Sequence, residues 1–153
     1  MIEKLKTFLR GPADTASEVA QDPDTALTAL LLEAADADGE EAPEELEAIR
    51  SLLARRGHDH TKVEAMIAEA RSQRAAAGGL FRFTHAVKTA WSPEERIGLV
   101  EMLWEVVYAD GRVDDIEAGL MRRLGGLLHV TDRDRGAAAV RVRERLGIDG
   151  GGA

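Results

Sequence analysis

Apolar residues recur along this chain at helical spacing, and no stretch alternates apolar and polar positions with the period of two that a strand needs. Ile2, Leu5, Phe8 and Leu9 fall on one face of a short segment that Gly11-Pro12 stops. The next helix is predicted from Asp22-Pro23, a capping acid followed by proline at the first helical position, to about Ala35. Its interior, TALTALLLEAA, carries a single charge. Pro43 opens another helix, with Leu46, Ile49, Leu52 and Leu53 at core spacing and Gly57 at its end. Further helices are predicted from about Thr61 to Ala77, where Gly78-Gly79 breaks the pattern, and from about Leu80 to Ala90.

Ser92-Pro93-Glu94-Glu95 is the clearest helix start, with a serine cap, a proline in first place and a glutamate that completes a capping box. From Ile97 to Tyr108 the helix that follows is apolar nearly all round, interrupted by Gly98, Glu101 and Glu105, which is the pattern of a central, buried helix. After a turn at Asp110-Gly111 come helices from about Asp115 to Leu128 and from about Asp132 to Leu146. The predicted fold class is therefore all-α, with about seven or eight helices. An N-terminal helix and linker occupy 1–21, a helical domain 22–147, and a glycine-rich tail predicted to be disordered 148–153.

Sliding the chain along itself until Gly39 falls on Gly111 also aligns Glu33 with Glu105, Asp38 with Asp110, Glu45 with Glu117 and Arg50 with Arg122. Both copies read E-x4-D-G-x5-E. A duplicated helix-turn-helix unit accounts for this, and stacking two such units would bury the two apolar helices against each other around a pseudo-two-fold axis. Both glycines suit a left-handed turn after a helix. Glu117 also has a local explanation, as the third helical residue reaching back to an Asp114 cap. In the first copy the cap position holds Ala42, which has no side chain to cap with, yet Glu45 is kept.

Glu33 and Glu105 lie near the C-terminal ends of apolar helices, where the helix dipole opposes a carboxylate and burial is costly without a partner. Arg50, Arg122 or a bound cation is the expected partner. A glutamate in the last turn, an aspartate just beyond it and a glutamate one turn into the next helix all face the closed end of the hairpin. Glu33, Asp38, Glu45, Glu105, Asp110 and Glu117 are therefore the candidate metal ligands, hard oxygen donors suited to Ca²⁺ or Mg²⁺. An EF-hand does not fit, because Ala34 and Val106 stand where its first ligand is needed.

Charge and composition narrow the alternatives. Every charged residue between Arg10 and Arg50 is acidic, and a net charge of -8 argues against a nucleic-acid partner, which needs a basic footprint. Arg133, Arg135, Arg141, Arg143 and Arg145 near the end of the chain can meet the acidic half of the same molecule or an anionic partner. The absence of cysteine excludes disulfides and thiolate zinc sites. MIEKLKTFLR lacks the apolar core of a signal peptide and no segment has the length of apolar sequence that spans a membrane, so the cytoplasm is the expected location.

Catalysis finds little support. No histidine follows a glutamate by three residues as in helix-bundle di-iron sites, and no Ser-His-acid pattern is recognisable. His58-Asp59-His60 reads as a polar connection between helices, and Trp91, Trp104 and Tyr108 as packing residues.

EVVYADGRVDDIE, residues 105–117, resembles the A-D-G-x5-E helix-turn-helix signature of the TerB-like family, named for bacterial tellurite-resistance operons. EAADADGEEAPEE, residues 33–45, is similar to a first copy of it. The resemblance covers about residues 24–147. It implies an all-helical, non-enzymatic domain with an acidic metal-binding centre and a stress-response or sensing role. Relatives of this kind are also attached to other proteins, membrane-linked J-domain co-chaperones among them; this chain has no His-Pro-Asp motif. The second expectation is a metal-independent interaction module with a protein partner, self-association included.

Overall fold

The computed structural model describes residues 22–39, 42–76, 78–111 and 113–148, and helices make up nearly all of them, with no strand. Helix α1 (Pro23–Ala35) begins where the Asp22 carboxylate accepts from the backbone N–H of Asp24 at 3.3 Å and the hydroxyl of Thr25 at 2.7 Å. Helix α2 (Pro43–Arg55) starts behind Ala42 with no side-chain cap; Pro43 stands first, and the N–H groups of Glu45 and Leu46 donate to the Ala42 carbonyl at 3.1 and 3.2 Å. Asp59 accepts from the N–H of Lys62 at 2.8 Å, which makes the His58–His60 stretch the start of α3 (His60–Ala76).

Helix α4 (Phe81–Ala90) leads to α5 (Pro93–Val107), whose capping box has both bonds: Glu95 N–H to the Ser92 hydroxyl at 3.2 Å and Ser92 N–H to the Glu95 carboxylate at 2.9 Å. The helix tightens into a 3-10 turn at Tyr108–Asp110. Helices α6 (Asp115–Leu127) and α7 (Asp132–Leu146) complete the seven among the described residues, and their bounds agree with the periodicity to within two residues. The predicted Ile2–Arg10 helix lies outside the described residues, as does the tail beyond Ile148.

Two helices form the centre. Helix α1 packs against α2, α3, α4 and α5, and α5 packs against α1, α2, α6 and α7. Leu27, Leu30, Leu31, Leu99 and Leu103 on these two helices have no exposed surface. Truncating one such leucine to alanine costs about 2–5 kcal/mol, so the α1–α5 contact carries much of the stability. The expected burial of two apolar helices against each other is observed, and it brings the turn after α5 onto α2. No helix among the described residues is long and apolar enough to cross a membrane.

Candidate metal centre

The two Asp-Gly turns have matching backbones. Gly39 and Gly111 have φ of +85° and +90°, in the left-handed region, and their N–H groups donate to the carbonyls of Asp36 at 2.8 Å and Tyr108 at 2.9 Å. A Cβ at either glycine would meet no atom within 4 Å, so backbone conformation alone, not crowding, selects glycine there. Because the Tyr108–Asp110 turn lies on α2, Asp110 comes near Glu45 in the first turn of that helix.

Glu45 and Glu117 are buried, 2% and 4% exposed. Burial, followed by the charges of Glu117, Asp110, Asp38 and Asp36, pushes the Glu45 carboxyl up to about 8. Burial likewise pushes Glu117 up to about 7; the hydrogen bond from Asp114 N–H opposes the rise, and the charges of Asp114, Asp110 and Asp38 add to it. Asp38, Glu45, Asp110 and Glu117 thus form one electrostatic group, two from each turn. The capping explanation holds for Glu117, whose carboxylate accepts from Asp114 N–H at 3.2 Å while Asp114 accepts from Glu117 N–H at 2.8 Å. It fails for Glu45: the Oε2 atom is buried with no hydrogen-bond partner among the described residues.

Glu33 and Glu105 stand differently, and the expected partners need correcting. Glu33 accepts from Arg74 Nη2 at 2.8 Å, and the same guanidinium donates to Asp36 at 2.8 Å. Glu105, 7% exposed, is held by Arg55, with Arg145 at 3.4 Å. Arg50 instead bonds Glu64 at 2.7 Å, because its place on α2 faces α3 rather than the acidic turns. Arg122 is exposed and makes no hydrogen bond or ion pair among the described residues. Neither Glu33 nor Glu105 is among the leading influences on Glu45 or Glu117. Arg55, Arg74 and Arg145 carried no local sequence signal, since each is 40 residues or more from the glutamate it holds.

Arginines therefore neutralise the outer acids, while the leading influences on Glu45 all oppose its charge. The donor set suits a hard divalent cation, and the unpartnered buried oxygen of Glu45 is the kind of atom such an ion would satisfy. As the side chains stand, no three His, Cys, Asp or Glu residues among those described form a set that could hold a metal ion. The four acids are close enough to oppose one another's ionisation without converging on one point.

Comparison with curated proteins and with solved structures gave no match. The family model described as tellurite resistance protein TerB matches residues 24–140, and both acidic turns fall inside that span. With an all-helical fold and a match over more than half its length, the chain belongs to the TerB family.

Proposed function

We propose that this protein is a non-catalytic domain that binds a divalent cation, Ca²⁺ or Mg²⁺, between its two Asp-Gly turns and serves a stress-response or sensing role. The observation that carries the reading is the Glu45 carboxyl, buried with one oxygen unpartnered and surrounded by Glu117, Asp110 and Asp38. Keeping such a group costs stability unless something positive visits it. In this reading Asp38, Glu45, Asp110 and Glu117 hold the cation, and side-chain rotation draws them in. Glu33 and Glu105, tied to arginines, hold the ends of α1 and α5 in place. An ancestral duplication accounts for the two like turns, with a pseudo-two-fold relation as its consequence.

Calorimetric titration with Ca²⁺ and Mg²⁺, alongside elemental analysis of protein purified without tags or chelators, tests this. The expected result is saturable binding to wild type that Glu45→Gln weakens by about tenfold or more. Absence of binding to wild type would contradict it and leave the interaction module.

A further inference from the structure

A second feature lies outside the acidic turns, in a cleft of about 350 Å³ where α5, α6 and α7 meet. Trp104 and Tyr108 form its floor, with ring centroids 5.5 Å apart and both residues nearly buried. The floor is fixed: Trp104 Nε1 donates to the Arg135 carbonyl at 3.2 Å, and Tyr108 O–H accepts from Arg143 at 2.7 Å. Arg122, Arg135 and Arg143 line the cleft together with Asp114 and Asp115.

Those three arginines are not the ones that serve the α5 acids Glu101 and Glu105, a task taken by Arg55, Arg141 and Arg145. Arg135 pairs only with Asp132, whose side chain is 91% exposed, and Arg122 has no bonded partner among the described residues. Arg143 also packs over the Tyr108 ring, so Arg122 is the guanidinium of the three with no bond inside the fold among the described residues; together the three outnumber Asp114 and Asp115 in the lining and give the cleft a positive balance on a chain of net charge -8.

The geometry points to a short acidic peptide segment of a partner protein as the occupant, with an apolar side chain on the Trp104–Tyr108 floor and carboxylates on Arg122, Arg135 and Arg143. Arg135 and Arg143 are two turns apart on α7, about 12 Å along the helix axis, a span that about four extended residues cover. A long polyanion such as nucleic acid is disfavoured, since it would extend beyond the cleft over a chain of net charge -8. Gly136 leaves the space open: a Cβ there would meet nothing within 4 Å.

Fluorescence anisotropy in the presence of chelator, with a labelled short peptide of alternating Glu and Leu, tests this independently of the cation. Peptides alternating Glu with Ser and Lys with Leu serve as comparison. The Glu/Leu peptide is expected to bind, the other two at least about tenfold more weakly. Arg122→Ala and Gly136→Leu are each expected to weaken binding by about tenfold or more without lowering the melting temperature. Arg122 makes no hydrogen bond or ion pair among the described residues and Gly136 sits in helical backbone beside open space, so both variants are expected to fold; if Gly136→Leu does not, Arg122→Ala decides. No binding of the Glu/Leu peptide, equal binding of the Glu/Ser peptide, or binding unaffected by Arg122→Ala would overturn the proposal.

Discussion

Glu45 and Glu117 occupy the same place in their helices, three residues past the cap, yet only Glu117 has a capping partner. Both carboxyls are shifted upward, to about 8 and about 7, from an ordinary value near 4.5. In the cation-free protein the folded state therefore keeps protons that the unfolded chain has already lost. Their contribution to stability is fully present below about pH 4.5 and is lost as pH rises through 7 and 8, with a slope of at most about 1.4 kcal/mol per pH unit for each retained proton. Denaturant melts in chelator between pH 5 and pH 8.5 check the sign, since a stability that rises over this range would show that the carboxyls are ionised in the fold.

Glu105 has cationic partners instead. Its charge answers Arg55 and Arg145, so Glu105→Gln is expected to destabilise the protein by about 1–2 kcal/mol with or without cation. A variant as stable as wild type in chelator melts would mean that these ion pairs contribute nothing. Gly111→Val forces a branched residue into the left-handed region and is expected to cost about 1 kcal/mol or more, read from thermal unfolding. The acids and turn glycines were legible in the sequence from the repeated spacing alone. Their cationic partners were not, because α3 comes back against α1, and α2 and α7 against α5, through tertiary packing, and nothing near Glu33 or Glu105 in the chain announces it.

At the scale of elements, proline and capping residues mark the boundaries. Pro23, Pro43 and Pro93 each stand first in a helix, and a residue that begins with φ already restricted and needs no N–H partner writes its own start. The end of α5 was less legible: the apolar run continues through Tyr108, but Gly111 in left-handed conformation draws the last turn tight and converts Tyr108–Asp110 to 3-10 geometry. The complete capping box at Ser92 predicts that Ser92→Ala lowers stability by about 1 kcal/mol, with the backbone otherwise unchanged. Equal melting of Ser92→Ala and wild type would show that burial of α5 fixes its start without the cap.

At the scale of the molecule, the central pair α1 and α5 brings two acidic turns to one side and leaves the burial of Glu45 unexplained by packing, capping or ion pairing among the described residues. All-α class and the seven helices of the described residues followed from periodicity, because each helix writes its own pattern. How the six acids divide depends on which side chains the packed helices present to one another: Glu33 and Glu105 go to arginines, and Asp38, Glu45, Asp110 and Glu117 share one neighbourhood. The most direct test is the melting temperature of wild type and Glu45→Gln at pH 8, with chelator and with Ca²⁺ or Mg²⁺ at constant ionic strength. In chelator Glu45→Gln is expected to melt at or above wild type, because it removes a buried charge from an acidic group. Added cation is expected to raise wild type by mass action and to leave Glu45→Gln nearly unmoved. A wild type that neither cation stabilises, or a Glu45→Gln variant that melts well below it in chelator, would contradict the cation-binding account.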